Sequence, residues 1–334
     1  MEVVILHDDV PAEAGPDQQD TMIQVREVEQ ALRLLGHHTR RLTMAGGFAS
    51  LRENLRQITP GLVFNLVESV EGRGESIHLA PKLLEDLGLP FTGVGSEGQR
   101  LTTDKLTAKR LMHSHGLPTP DWIEESGGVD PAGREFIIKS RWEHGSLGLE
   151  SDSVVNTPSR DRLLADLSRR RQTQGGEWFA EAYIEGREFN VSVLTGAERR
   201  RILPIAEIVF EKFTPARKRM VGYRAKWDSE SFEYHHTVRR FVSDPGDEEL
   251  TNKLAGLAGS CWDLFDMNGC ARVDFRVDEN GQPWILEVNA NPCLSSDAGF
   301  MAAAGEAGLS QIDVVEILVK DAMTRAGASL TARL

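Results

Sequence analysis

No apolar run in this chain approaches the ~20 residues needed to cross a bilayer, so a membrane span is not expected. Cysteine is scarce: Cys261, Cys270 and Cys293 form no C-x-x-C pair, and an odd number leaves one unpaired. That usage fits a reducing cytoplasm better than an oxidising compartment. Positive charge is in deficit, with a formal net charge of −13. A nucleic-acid binder needs a basic surface, so that class is not expected. The opening MEVVILHDD lacks a basic stretch followed by an apolar core and a small-residue cleavage site. It reads as a first strand, not a signal peptide. There is no internal repeat and no low-complexity tract.

What is present is ordinary for a soluble globular protein: 40% hydrophobic and 27% charged residues. The 334 residues suit two or three domains. Val3–His7 reads as a buried strand, Asp20–Gly36 as a helix, and strands are expected near Thr39–Leu42 and Leu62–Val67. Helices near Ala49–Gln57 and Ser76–Leu87 and a short strand at Pro90–Thr92 complete an open, largely parallel α/β layer. Further on, Thr102–His115 is expected as one helix, Phe136–Lys139 as a strand and Arg160–Arg171 as a polar helix. Glu177–Ile184, Asn190–Leu194 and Arg201–Val209 read as strands. Glu211–Glu230 reads as polar and irregular, while Pro245–Met267 and Ile312–Arg325 read as helices.

The most informative segment is Gly269–Val277 and Pro283–Asn289, two alternating runs around Asn280-Gly281. Asn-Gly between such runs signals a hairpin with a two-residue loop. Counting back from that turn sets Asp274 opposite Glu287 and Arg272 opposite Asn289. Residues two apart share a strand face, so these four project together. Val273, Phe275, Val277, Trp284, Leu286 and Val288 would form the apolar face. Two carboxylates and an amide oxygen suit Mg²⁺, and like charges directly opposite are unfavourable without a cation between them. Arg272 beside them could hold negative charge developing on a reacting oxygen. The competing reading is a solvated face on which Arg272 pairs with Asp274 or Glu287.

Other features are weak singly. Lys139 ends an apolar strand and leads into SRWEHGSLGLE, where Gly145, Ser146 and Gly148 could let the backbone and a hydroxyl approach phosphate oxygens. Lys105 begins a helix. Glu181 and Glu188 flank Gly186, and acids there can accept hydrogen bonds from a nucleoside. Lys212, Arg217, Lys218, Arg219, Arg224 and Lys226 make a basic island in an acidic chain, suited to close over a triphosphate.

In this order the pieces resemble the ATP-grasp superfamily, and within it the D-alanine–D-alanine ligase family, over nearly the whole chain. FNLVES, LGLPFTGVG, TTDKLTAKRLMHSHGLPTP, IIKSRWEHGSLGL, EAYIEGREF, GYRAKW and ARVDF…WILEVNANP carry the likeness. The resemblance implies an α/β fold, α+β in parts, with an N-terminal open α/β sheet (1–95) and ATP held between two α+β lobes (96–186 and 187–334). It implies that Lys105 and Lys139 contact ATP phosphates under a loop holding Ser146 and Gly148. Glu181, Tyr183 and Ile184 would meet adenine, Glu188 ribose, and Lys226 the γ-phosphate. Asp274, Glu287 and Asn289 would hold two Mg²⁺ ions, with Mn²⁺ as an alternative, and Arg272 would stabilise the oxyanion. The implied reaction joins a carboxylate and an amine, both small molecules, through an acyl phosphate. Family analogy adds a homodimer.

Four positions depart from the family pattern. Glu68 stands where a histidine is usual, Trp227 where a tyrosine is common, Cys293 for a glycine and Ala298 for a serine that holds the second substrate's carboxylate. Amino-acid substrates other than two D-alanines are therefore expected, with Glu68 on a substrate ammonium and an acceptor pocket less suited to a free carboxylate. A thiol nucleophile at Cys293 is not expected, since no histidine partner is evident. An ordinary D-alanine–D-alanine ligase and a non-catalytic ATP-binding module are the alternatives.

Overall fold

The computed structural model describes residues 1–331 except 12, 132, 144, 147, 157–158, 197–198 and 215–216. The chain opens with β1 (Glu2–His7), α1 (Pro16–Leu34), β2 (His38–Thr43), α2 (Gly47–Ile58) and β3 (Leu62–Asn65). These strands pair in parallel in the order β2-β1-β3, as strand–helix alternation dictates. Val3, Val4, Ile5 and Leu6 are all fully buried, because both faces of β1 are covered. The expected strand at Pro90–Thr92 is only a parallel bridge from Phe91 to Val63. Next come α3 (Leu79–Leu87), α4 (Ser96–Thr103) and α5 (Lys105–Ser114). The single helix expected over 102–115 is split at Asp104, whose carboxylate accepts from the N–H groups of Leu106 and Thr107 and caps α5.

A second sheet contains β4 (Trp122–Glu124), β5 (Gly127–Gly128), β6 (Glu135–Ser140), β7 (Val154–Asn156) and, after α6 (Arg160–Gln174), β8 (Trp178–Ala182). Its order is β5-β4-β8-β6-β7, and every pair is antiparallel. Phe136 and Ile138 of β6 pack with Leu163 and Leu167 of α6.

The third sheet is built from β9 (Arg187–Gly196), β10 (Arg199–Ile202), β11 (Ala206–Phe210), β12 (Thr237–Phe241), β13 (Cys270–Val277) and β14 (Pro283–Asn289). Two short helices, α7 (Tyr223–Trp227) and α8 (Phe232–His236), lie between β11 and β12, and α9 (Glu248–Leu264) precedes β13. The strand order is β12-β11-β9-β13-β14, with β10 on the second half of β9. One expected strand thus divides, 201–209 being interrupted between β10 and β11; α7 falls inside the stretch expected to be irregular, and β12 lies where no element was expected. Gly186, at the entry to β9, has φ +150°, and a Cβ there would lie 1.9 Å from the Val277 carbonyl oxygen. Only glycine permits that approach.

The chain closes with α10 (Gly299–Glu306) and α11 (Gln311–Thr331). Val314, Val315 and Leu318 of α11 pack with Val25 and Leu32 of α1 and with Val3 and Ile5 of β1. The last helix therefore covers the first sheet. Among the described residues no helix is long and apolar enough to cross a membrane.

Candidate active site

The hairpin delivers the expected face by an unexpected route. Asp274 pairs with Glu287 and Arg272 with Asn289. The turn, however, is not the two-residue loop that Asn-Gly predicts. The Asp278 N–H donates to the Gln282 carbonyl and its carboxylate accepts from the Asn280 and Gln282 N–H groups. Three residues therefore lie outside the pair, with Gly281 at φ +74°. A bulge between Asp274 and Phe275 then shifts the register back by one. The two one-residue errors cancel at Asp274–Glu287 but not between them. Ile285 is buried where Trp284 and Leu286 were expected, and Leu286 turns to the cavity instead. Val273, Phe275, Val277 and Val288 do form the apolar face.

That polar face is not a solvated surface. It lines a cavity of about 910 Å³ between the second and third sheets and the carboxyl ends of β1 and β3. The phosphate-loop, nucleoside, hairpin and substrate candidates all border it except Gly148; of the basic island Lys226 does, while Lys212, Arg217, Lys218, Arg219 and Arg224 do not. Gly148 has φ +70°, a Cβ there would lie 2.5 Å from the Trp178 ring, and its carbonyl accepts from Arg170. It shapes the loop from behind.

At the lysine-rich end, Glu181 on β8 is 1% exposed and receives two ammonium groups. Lys109 lies 2.7 Å from Oε2 and Lys139 2.5 Å from Oε1. Burial would raise this carboxyl, but Lys109 and Lys139 together hold it below its ordinary range. Lys109 also donates to Thr119 Oγ1 at 2.7 Å, and Thr119 donates to the Ile285 carbonyl at 2.9 Å. A buried chain thus links the lysines to the hairpin. The sequence reading missed Lys109. Its i, i+4 spacing from Lys105 on an otherwise apolar helix face was the available signal.

Lys105 donates to the Glu143 carbonyl at 2.7 Å and lies 3.6 Å from Glu287. Its helix start is anchored by Asp104, which takes Nε and Nη2 of Arg141 at 2.7 and 2.6 Å. Arg272 donates through Nε and Nη2 to Asp274 at 2.7 and 2.8 Å, and Asn190 donates to the same carboxylate at 2.8 Å. The arginine–aspartate pair of the competing sequence reading is real, yet it sits inside the cavity. Asn289 accepts from the Asn291 N–H at 3.0 Å. No group of three His, Cys, Asp or Glu suited to a metal occurs among the described residues. The hairpin offers two carboxylates and an amide oxygen, a hard all-oxygen set that fits Mg²⁺.

Two loops meet over this end. Ser146, at φ +66°, donates to the Val221 carbonyl at 2.7 Å. Trp227 donates to the Gly145 carbonyl at 3.2 Å, and the Tyr223 N–H donates to Leu149 at 3.0 Å. Residues 144, 147, 215 and 216 of these loops lie outside the described set. Lys226 faces the hairpin. Burial and Arg272 lower its pKa, against the pull of Asp274, Glu287 and Glu188. Tyr183 donates to the Arg219 carbonyl at 2.9 Å. Glu188 is paired at 2.7 Å with Arg276, which is buried and also donates to the Gly186 carbonyl at 3.2 Å. Arg276 was not singled out from the sequence, although it lies two residues beyond Asp274.

The opposite end is made by loops after β1 and β3, where open parallel sheets present ligand sites. Asp8 accepts from the Glu68 N–H at 2.8 Å and from Ser69 Oγ at 2.6 Å. Gln24 donates to Glu68 at 3.2 Å and also accepts from the Leu294 N–H at 2.8 Å. Cys293 Sγ lies 3.1 Å from Asp20 Oδ2 and 3.1 Å from Ser295 Oγ. Burial, with Glu68 and Asp20, pushes the thiol well above its ordinary pKa. Among the described residues no histidine is hydrogen-bonded to it, so nothing activates a thiolate. Ala298 caps α10 without a side-chain hydrogen bond.

Comparison with known proteins converges with this geometry. A family model described as the D-ala D-ala ligase C-terminus matches residues 137–320. The D-alanine–D-alanine ligase of Bordetella parapertussis is 31% identical over 246 residues, 72% of each chain. That of Nitrosococcus oceani is 28% identical over 280 residues, 81% of each chain. An uncharacterized protein, y4sG, of Sinorhizobium fredii is 29% identical over 301 residues, 86% of this chain and 84% of its own. The crystal structure of D-alanine–D-alanine ligase from Bacillus anthracis complexed with ATP matches with a TM-score of 0.75 at 19% identity. It covers 98% of this chain and 99% of its own. The fold is that of an ATP-grasp ligase, an ADP-forming enzyme that joins a carboxylate to an amine. The chain belongs to the D-Ala-D-Ala ligase family.

Proposed function

We propose that this protein condenses two amino-acid-like substrates into an amide through an acyl phosphate, and that its natural pair is not two D-alanines. One observation carries the catalytic part. Lys105 binds the Glu143 carbonyl at the loop after β6 while lying 3.6 Å from Glu287. The candidate phosphate loop and the candidate metal hairpin therefore meet at one ammonium. The three sheets support reading the chain as units 1–95, 96–186 and 187–334.

Phosphoryl transfer demands alignment and charge neutralisation more than covalent help. Lys105, Lys139 and Lys226 are placed to neutralise a triphosphate. Glu188, oriented by Arg276, is placed to accept from ribose hydroxyls, and Glu181, Tyr183 and Ile184 form the wall for the base. Asp274, Glu287 and Asn289 would hold Mg²⁺, which when bound supplies charge to the phosphate oxygens. Arg272 keeps Nη1 free of Asp274 and can hold the oxyanion as the amine attacks. The loop bridged by Ser146–Val221 and Trp227–Gly145 would exclude water from the acyl phosphate.

The substrate part rests on Glu68, Asp8 and Asp20. All three border the end of the cavity where the sequence departs from the family pattern. An acidic wall there favours an ammonium. The D-alanine–D-alanine ligases among its relatives favour D-alanyl-D-alanine as the second reading. Incubation with Mg²⁺-ATP and separate D- and L-amino-acid pools decides, by ADP release and product mass. Amino-acid-dependent ADP release with a condensed product other than D-Ala-D-Ala is expected. D-alanine alone as sufficient substrate establishes the second reading. ATP binding without ADP release in any pool favours a non-catalytic module or a substrate outside the pools.

A further inference from the structure

We infer that Arg239 is a specificity-determining residue that holds a carboxylate on the attacking amine, an inference that rests on the ligase reading above. β12 carries Arg239 and Arg240 side by side, and alternation must send them to opposite faces. Arg240 pairs with Glu211 at 2.5 Å on the outer face. Arg239 borders the cavity together with Thr237, the residue two before it. Among the described residues no carboxylate comes within ion-pair distance of Arg239. Its one hydrogen bond goes to the Asp297 backbone carbonyl at 3.2 Å.

A second guanidinium faces the same spot. A Cβ on Gly299 would lie 4.0 Å from Arg239 Nη2 and 3.9 Å from Arg272 Nη1. Arg272 spends Nε and Nη2 on Asp274, so Nη1 is the edge it presents here. Two cations facing one point repel, and among the described residues no carboxylate pairs with Arg239 and no acceptor meets Arg272 Nη1; Arg239 Nη2 reaches only the neutral Asp297 carbonyl. Gly299 also begins α10, whose cap is an alanine with no side-chain acceptor. A carboxylate is planar and two-oxygened, and guanidinium groups match that geometry. The expectation that Trp227 and Ala298 make this pocket less suited to a free carboxylate did not weigh Arg239, which approaches from another strand. Because Arg272 is the candidate oxyanion holder, an anion fixed between the two arginines places the attacking amine next to the reacting carbonyl.

The test is a ratio measured on one protein at a time. For each amino acid that supports ADP release as acceptor, kcat/KM is compared with that of its carboxamide. Wild type should prefer the free acid. Arg239→Ala should lower kcat/KM for the acid by about ten- to a hundredfold, the worth of a charged hydrogen bond, and bring the ratio near unity. Arg239→Lys should restore part of it. A ratio is insensitive to how much of a variant is folded. An Arg239→Ala enzyme that keeps the wild-type preference overturns the assignment, as does a wild type that uses amides equally well. A wild type with no amine-dependent ADP release fails differently: it removes the ligase reading and this inference with it.

Discussion

At the lysine-rich end of the cavity, Lys109 and Lys139 share Glu181, Lys105 lies 3.6 Å from Glu287, and Arg272 holds both oxygens of Asp274. At the other end, Asp8 leans on a serine and a backbone N–H, and Asp20 on a thiol. Where the two ends meet, Arg239 faces Arg272, and among the described residues its side chain has one hydrogen-bond partner, the neutral Asp297 carbonyl. One end answers its charges with opposite charges; the other answers them with neutral dipoles. The first arrangement matches each buried lysine with a carboxylate inside a low-dielectric wall, where an unpaired charge would be costly. The second leaves charge to be matched by whatever enters. Substrate selectivity within the same fold can therefore be revised at the neutral-dipole end without disturbing the paired end.

The comparison breaks most sharply at Glu181. Replacing it with alanine leaves Lys109, 1% exposed, with no carboxylate partner among the described residues, only the Thr119 hydroxyl and the Trp122 ring 5.6 Å away. Stripping one partner from a buried pair costs about 3–5 kcal/mol. Urea denaturation of Glu181→Ala should show a loss of that size; a loss within error would mean the lysines do not depend on this carboxylate. Lys139→Met comes next and separates stability from chemistry. Lys109 still satisfies Oε2, so unfolding should move less than in Glu181→Ala. ATP-dependent turnover should nonetheless fall about a hundredfold, as when one donor to developing charge is removed. Steady-state ADP release at varied ATP measures it.

How far the sequence reached follows the same divide. The parallel first sheet, β6, β8 and the hairpin were legible because short apolar runs and Asn-Gly report local physics. The cluster of Lys105, Lys139, Glu181 and the hairpin acids was legible through its order along the chain. Lys109, Arg276 and Arg239 were not, because each owes its role to an element packed from elsewhere. The hairpin shows the limit within one motif. Asp274–Glu287 was read in register although the turn was misread, since a bulge that no local pattern announces restored the count. Trp284 and Leu286, inside the two offsets, were put on the wrong face for that reason.

Asp20 sharpens the contrast through pH. Its pKa is raised, first by burial and then by Asp297 and Glu27, against the hydrogen bonds from Cys293 and Ser295. A carboxyl raised on folding binds its proton more tightly in the native state. Stability from this group then falls as pH rises from the ordinary 3.8 toward the native value, and stays lower above it. Asp104 has the opposite sign: burial alone would raise it, but hydrogen bonds from Arg141 and Thr107 and the charge of Arg141 bring it down. Its contribution is present above 3.8 and lost as pH falls through the native value. Asp20→Asn should therefore be more stable than wild type at neutral pH, with the gap closing below pH 3.8. Asp104→Asn should be less stable at neutral pH, its gap also closing in acid. Thermal midpoints across that range test both, and gaps of the same sign would erase the distinction between the two ends.

The smallest effect is expected at Cys293, and its smallness is informative. The thiol borders the cavity, 3.1 Å from Asp20, where a nucleophile would be well placed. Burial and the nearby acids Glu68 and Asp20 oppose ionisation, so at neutral pH it stays a protonated donor to Asp20. Cys293→Ser keeps a donor of similar size and should leave turnover within about twofold of wild type, below the ~1 kcal/mol of a typical hydrogen bond. Iodoacetamide should leave it unlabelled at neutral pH, with Cys261 and Cys270 shielded by burial. Rapid alkylation at neutral pH, or loss of most turnover in the serine variant, would show a thiolate there. The acidic end would then be compensated by a cation outside Asp8, Asp20 and their neutral partners, and the division of the cavity into a paired end and a dipole-held end would fail at its centre.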